Sequence, residues 1–375
     1  MILGLEDGKV ALYPHDPEWE KTAQDTIAKI KDIMGDDARD IQHVGGTSIR
    51  CAYAKPIIDI QVLVKDFSVV DRYLPQLNDM GIEYFGKILP DQCMGVIRTA
   101  DGKGQTHHIH FHIPEAEAWQ DIINIRDICN TDPLAGRVYS DSKLRYAVGN
   151  EDVRLNYREE KNNMYVVLRQ TGQAMKARND GLKSGSDFID DFFYAALGNL
   201  ENEAVNDNGQ IALYKKLAGL TVRTAVKLKE SGITKGSSIM ILTEDTAETA
   251  AALYGVLYYG CTAVFCKTPY DDAYTEERRK KTGSAAVISH AFFGDIMNYR
   301  EHLNQIWLKD EDPAWITAED ETVSWKALND AVKQTAAACP ENTFGQGCTG
   351  ETEEMIRMLA VLAKGDTVIT GKDRK

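Results

Sequence analysis

The stretch Ile41-Gln42-His43-Val44-Gly45-Gly46-Thr47-Ser48, followed by Lys55-Pro56-Ile57-Ile58-Asp59-Ile60-Gln61-Val62-Leu63-Val64, decides the fold of the N-terminal half. The second piece reads as a buried strand: apolar, β-branched, and bounded by Pro56 and Lys65-Asp66. It carries one acid, Asp59, inside the apolar run. A buried carboxylate is costly unless it is paired or binds a cation. The first piece is a tight Gly-Gly turn ending in two hydroxyls. Gly45 and Gly46 let backbone approach a ligand closely, and Thr47 and Ser48 suit phosphate oxygens. A phosphate cradle followed by a strand-borne metal carboxylate is minimal equipment for nucleotidyl transfer.

Further stretches repeat this theme. Thr106-His107-His108-Ile109-His110 continues to His112, so a strand here puts His108, His110 and His112 on one face and His107 on the other. Imidazoles suit zinc or manganese, alone or with Asp59. The alternative is a stack of neutral, hydrogen-bonded histidines covering the sheet.

Together with Tyr13-Pro14-His15-Asp16-Pro17-Glu18-Trp19 and Ala54-Lys55-Pro56-Ile57-Ile58-Asp59-Ile60, these stretches resemble the GrpB-like family of the nucleotidyltransferase superfamily over roughly residues 8–172. Arg126-Asp127, Tyr139, Lys143, Tyr157 and Lys161 fall where that family has its helical signatures. The resemblance implies a mixed sheet with helices, and a site in which Asp59 holds a divalent metal (Mg2+ or Mn2+, with Zn2+ an alternative). The family's His-His-x-His portion recurs at His107, His108 and His110, which implies Asp59, His108 and His110 as the metal set, with His110 beside Asp59. Gly45, Gly46, Thr47, Ser48, Lys55, Arg126 and Lys143 would meet a nucleotide or other phosphate compound. Arg98 is a further candidate for a basic wall. The superfamily has a second acid two positions after the first. Here that position is Gln61, a poor Mg2+ ligand, and two-metal chemistry wants at least two carboxylates.

Around this core the chain reads as short elements. Asp16-Pro17 starts a helix to about residue 35, Ser68 to Met80 reads as one helix, and Asp101-Gly102-Lys103-Gly104 as a hairpin turn. Three helices are expected over 115–130, 132–148 and 151–176. The polar run 177–186 reads as a linker, giving domains 1–178 and 187–375 joined by 179–186. Beyond it, helices near 187–203 and 211–231 precede strands 238–242, 263–266 and 285–289, which alternate with helices and argue for a parallel α/β sheet.

Leu228 through Gly236, Ile239-Met240-Ile241-Leu242, Leu253 through Gly260, and Tyr270 to Lys280 before Ala286-Val287-Ile288 resemble the opening of AMP-binding, acyl-adenylate-forming (acyl-CoA synthetase-like) enzymes. That family wraps ATP phosphates with a Ser/Thr/Gly-rich loop ending in Lys. Here Ala314-Trp315-Ile316-Thr317 runs instead through Ala318-Glu319-Asp320-Glu321. Gly347-Cys348-Thr349-Gly350-Glu351 is no substitute. Clustered acids repel a triphosphate unless a metal intervenes. The expectation is a degenerate module that makes no acyl-adenylate and docks a protein partner, such as a synthetase or carrier protein.

Composition bounds the rest. The chain has 375 residues and a formal net charge of −14, which disfavours nucleic acid and anionic membrane as partners. No stretch has the apolar length of a membrane span, and no signal-peptide pattern opens the chain. Seven cysteines lie without a CxxC pair, which reads as reduced thiols and a cytoplasmic protein.

Overall fold

The computed structural model describes residues 1–148, 154–182, 187–266, 271–299, 303, 308–339 and 351–370. The expected contributions of Tyr157, Lys161, Tyr270 and residues 347–350 lie outside the described side chains. Two compact units emerge, Met1–Gly172 and Gln173–Lys375. The division falls inside a long helix, Arg154–Asn179, which takes up the first three residues of the run read as linker.

In the first unit the elements are β1 (Leu5–Glu6), β2 (Tyr13–Pro14), α1 (Pro17–Met34), β3 (Asp40–Val44), β4 (Tyr53–Ala54), β5 (Ile58–Leu63), α2 (Ser68–Arg72), α3 (Leu74–Asp79), β6 (Ile82–Leu89), β7 (Gln92–Arg98), β8 (Gly104–His112), α4 (Glu117–Thr131), α5 (Pro133–Ala147) and α6 (Arg154–Asn179). The main sheet has the order β3-β5-β8-β7-β6, with β1 paired to β8. Its central pair, β5 and β8, is parallel, and the neighbours on either side are antiparallel.

The period of two along these strands separates core from site. Ile58, Ile60, Val62, Ile109 and Phe111 face α1 in a core that includes Trp19, Ala23, Ile30 and Met34. Full burial of such side chains stabilises by roughly 1.5–3 kcal/mol each. Asp59, Gln61, His108, His110 and His112 therefore point to the other face. There Ile122 and Ile125 of α4, Tyr139 of α5 and Tyr165 of α6 close over it. The α1 helix begins where Asp16 accepts a hydrogen bond from the Glu18 N–H at 3.0 Å and Pro17 fixes the first turn.

The single helix expected over 68–80 is two. Pro75 has no N–H to give an interior turn and crowds the residue before it. The chain breaks at Tyr73 (φ −104°, ψ 2°) and restarts with proline in the first turn of α3.

The second unit adds α7 (Phe188–Gly198), β9 (Glu203–Asp207), β10 (Gln210–Leu213), α8 (Tyr214–Glu230), β11 (Ser238–Leu242), α9 (Thr246–Tyr258), β12 (Thr262–Phe265), α10 (Asp272–Thr282), β13 (Ala286–Ser289), β14 (Pro313–Ile316), β15 (Thr322–Ser324), α11 (Trp325–Ala338), α12 (Thr352–Lys364) and β16 (Val368–Thr370). A sheet of order β13-β11-β12-β14-β15 is parallel except for its last pair. Gly255 lets α9 pack tightly on α8: a Cβ there would meet the Thr224 Cβ at 2.6 Å. Phe192 stacks on Tyr254 with centroids 4.3 Å apart.

The helix expected over 187–203 stops at Gly198, and residues 203–213 form a hairpin instead. Asn208 and Gly209 turn it with φ of 51° and 86°, left-handed values that Asn and Gly tolerate. β16 then extends this hairpin to a three-stranded sheet.

Candidate functional site

Strand register assembles the first-unit site. Asp59 on β5 lies opposite His108 on β8, and Gln61 lies opposite His110. His108 Nδ1 stands 3.0 Å from Asp59 Oδ1, and His110 Nε2 stands 3.7 Å from the same oxygen. Potential ligand atoms of the three residues lie within 4.8 Å of one another. Their side chains keep 28, 16 and 19% exposure, so a ligand can reach all three. One carboxylate and two imidazoles fit a divalent ion in donor type and spacing.

His112 and His107 do not join this set. His112 is fully buried and meets Gln61 at 3.3 Å, and His107 lies on the core face 3.2 Å from Thr26. Gln61 is thus turned to His112, away from Asp59. Two partners that sequence reading missed hold the remaining ring nitrogens. Gln105 Oε1 lies 2.7 Å from His108 Nε2, and the Gln92 carboxamide lies 2.7 Å from His110 Nδ1.

The turn at 45–48 serves the site mainly by what it lacks. Gly45 has φ 71°, and a Cβ on it would meet Asp59 Oδ2 at 2.2 Å. A Cβ on Gly46 would meet Lys143 Nζ at 2.6 Å. Both hydroxyls are engaged, although Thr47 and Ser48 also line a separate cavity, of about 510 Å3, with His43 and Arg126. Ser48 donates to the Gly45 carbonyl at 2.7 Å, while Thr47 lies 3.0 Å from His43 Nε2 and 3.4 Å from the Ile57 carbonyl. Ser48 thus closes the turn on its own backbone, whereas Thr47 ties the turn to His43 and to the lead-in of β5 at Ile57.

Val44, Gly45, Ile49, Asp59, His110 and Arg126 share a cavity of about 200 Å3 with the covering helices. Arg126 reaches it from α4, donating to the Gln42 side chain at 2.8 Å and to the His43 carbonyl at 3.0 Å. Those bonds tie α4 to β3 and aim the guanidinium. Lys143 is buried and donates to the Tyr139 hydroxyl at 3.2 Å, beside Gly46. Two other candidates stand elsewhere. Lys55 is not among the residues lining the cavity. Arg98 pairs with Asp7, just after β1, and with Glu83 on β6, each at 2.8 Å.

Charge follows this geometry. Burial pushes the Asp59 carboxyl up, but hydrogen bonds and charge from His108 and His110 overcome it and hold Asp59 below the usual carboxylate range. His43 is pushed down to about 4, chiefly by burial, so its ring is neutral near pH 7.

In the second unit, the acid-bearing run read from the sequence in place of a phosphate loop forms the turn between β14 and β15. It closes on itself: the Thr317 N–H donates to the Glu321 carbonyl at 2.9 Å and the Asp320 N–H to the Thr317 carbonyl at 3.0 Å. Asp320, at φ 68°, accepts from Arg278 at 2.6 Å and pairs with Lys281. The buried Arg278 also donates to the carbonyls of Phe265 and Thr317.

Comparison with known proteins agrees with both halves. Residues 9–170 match the family described as GrpB protein, and residues 192–346 match AMP-binding enzyme. The glutamate-rich protein GrpB of Alkalihalophilus pseudofirmus is 28% identical over 149 residues, covering 39% of this chain and 86% of that protein. 4-Coumarate–CoA ligase 3 of Arabidopsis thaliana is 27% identical over 153 residues, covering 39% of this chain but 27% of the ligase. A solved structure of conserved protein GrpB from Enterococcus faecalis is 21% identical with a TM-score of 0.39, covering 43% of this chain and 96% of that one. The chain therefore carries a GrpB domain at its N-terminus and an AMP-binding region in its C-terminal half.

Proposed function

We propose that the GrpB domain binds a nucleotide or related phosphate compound with the help of a divalent metal, and that the AMP-binding region is a non-catalytic module that docks or regulates. One observation carries the first part: Asp59, His110 and Arg126 line a single cavity beside a turn stripped of side chains at Gly45. Asp59, His108 and His110 would hold the ion, which would supply Lewis-acid charge to a phosphate oxygen. Arg126 would bring positive charge to the phosphate from a guanidinium held in place by its Nη1 bonds to β3 and by its Nε donation to Asp127 at 2.8 Å. Lys143 adds positive charge behind Gly46. Nucleotidyl transfer is the reaction this equipment favours. Gln61 in place of a second acid favours the rival, a binding protein without turnover.

The closed, acid-bearing turn at 317–321 supports the second part, because the Thr317, Asp320 and Glu321 N–H groups donate within the turn and the Asp320 carboxylate already has two cationic partners.

A thermal-shift screen of the full chain against nucleotides and sugar phosphates, with each of Mg2+, Mn2+ and Zn2+, tests the reading. A ligand bound by the native state alone raises the melting temperature as its concentration passes Kd. A metal-dependent shift that Asp59→Asn abolishes is expected. No shift with any phosphate compound would overturn it. Incorporation of labelled nucleotide into an acceptor separates transfer from binding alone. ATP–pyrophosphate exchange by the chain would overturn the reading of the AMP-binding region.

A further inference from the structure

We propose that Asp59, His108 and His110 form a one-ion centre that takes zinc-class ions (Zn2+, Co2+, Ni2+) in preference to Mg2+, with Gln105 and Gln92 as its positioning residues. This deepens the reading above and rests on its placing of a divalent metal at Asp59.

The first observation is the tautomer of His108. Gln105 Oε1 lies 2.7 Å from Nε2, and with the carboxamide in that orientation the nitrogen donates. In a neutral ring Nδ1 then carries the lone pair, and it faces Asp59 Oδ1 at 3.0 Å. A lone pair against a carboxylate oxygen at that distance repels, unless a cation lies between them, the ring is protonated, or the Gln105 carboxamide is turned over so that Nδ1–H donates to Asp59. A metal ion resolves the conflict and uses both groups as ligands.

The second observation is the matching support of His110. Its Nε2 faces Asp59, and its Nδ1 meets the Gln92 carboxamide at 2.7 Å. Turning that carboxamide over exchanges its nitrogen and oxygen in place. Nδ1–H then donates to the Gln92 oxygen and Nε2 is freed for the ion. Metal-bound histidines generally donate their second ring N–H to such an acceptor, which fixes the ring and raises its basicity.

The third observation is spacing. Nitrogen and oxygen ligands sit about 2.0–2.1 Å from zinc. In a tetrahedron that separates neighbouring ligand atoms by roughly 3.3 Å, between the 3.0 and 3.7 Å found at Asp59 Oδ1. Imidazole donors favour zinc-class ions, whereas Mg2+ prefers an octahedron of oxygens and keeps its waters. A second ion lacks its ligand, because Gln61 is buried against His112. Three protein donors leave a coordination position for a ligand oxygen, and Asp59 and His110 both border the cavity of Arg126.

The test is Co2+ titration of the chelator-stripped full chain, followed by visible absorption, with Zn2+ and Mg2+ as competitors. One equivalent of Co2+ is expected, displaced by stoichiometric Zn2+ and untouched by millimolar Mg2+. Asp59→Asn, His108→Ala and His110→Ala should each weaken binding at least 100-fold. Gln105→Leu should weaken it about 10-fold or more and alter the spectrum, whereas Gln105→Glu, which keeps the acceptor, should restore it. Circular dichroism identifies any variant that fails to fold, and His110→Gln then replaces His110→Ala. Displacement by Mg2+, or binding unchanged in folded His108 and His110 variants, would overturn the proposal. The titration contains no phosphate compound. Its failure alongside an intact phosphate-induced thermal shift removes the ion centre alone, and the reverse pattern removes the phosphate reading alone.

Discussion

The Asp59 carboxylate lies directly over the α-carbon of Gly45, so that a Cβ at position 45 would stand 2.2 Å from Oδ2. No rotation of a methyl group relieves that contact, and the φ of 71° is itself unfavourable for other residues. Gly45→Ala should destabilise the GrpB domain by about 1–3 kcal/mol and displace Asp59 from its histidines. Thermal melts of the full chain with and without Zn2+ check this: the variant should melt lower and lose its metal-dependent rise.

Arg126 does two things at once, bracing β3 and facing the cavity. Arg126→Lys keeps the charge and loses the fork. Hydrogen bonds to charged groups contribute about 1.5–3 kcal/mol, so affinity for a phosphate ligand should fall roughly 10- to 100-fold. Calorimetric titration of whichever phosphate compound raises the melting temperature reads this loss. Unchanged affinity would remove Arg126 from the site.

Most of this arrangement was legible in the sequence, and the exceptions have physical causes. The apolar run around Asp59 and the alternating histidines fixed two strands and their faces, because a one-residue slip would have buried the polar set. The parallel pairing that sets Asp59 against His108 is non-local, and spacing along the chain does not encode it. Gln92 and Gln105 escaped for the same reason: glutamine is ordinary in a strand until its partner is known. Thr47 and Ser48 were read as suited to phosphate, but Ser48 bonds back to Gly45 and Thr47 meets His43 and Ile57. In the second unit, Asn208-Gly209 was a hairpin signal passed over between two expected helices. The clamp on Asp320 joins residues 42 apart, beyond any local pattern.

That clamp makes its own prediction. Arg278 is buried and serves Phe265, Thr317 and Asp320 together. Arg278→Met should destabilise the AMP-binding region by about 3–5 kcal/mol, because carbonyls and a carboxylate lose their donor. Chemical denaturation of the full chain, followed by tryptophan fluorescence, should show an earlier transition.

Acid should weaken the GrpB domain through His43. Its pKa is pushed from 6.5 down to about 4 in the folded chain, so the unfolded chain binds the proton first as pH falls. The stabilisation is fully present above pH 6.5 and is lost as pH falls toward 4. Between pH 7 and 4.5 this amounts to roughly 2 kcal/mol. Denaturant melts at the two pH values should show a smaller loss in His43→Gln than in the unaltered chain.

The most direct test of the central claim is diffraction at the zinc absorption edge, from crystals of the full chain grown with Zn2+ and inorganic phosphate. The account predicts an anomalous peak about 2.0–2.2 Å from a carboxylate oxygen of Asp59 and from one nitrogen each of His108 and His110. A phosphate oxygen should complete the coordination on the Arg126 side. A peak elsewhere on the chain, with Asp59 bonded only to its histidines, would contradict it.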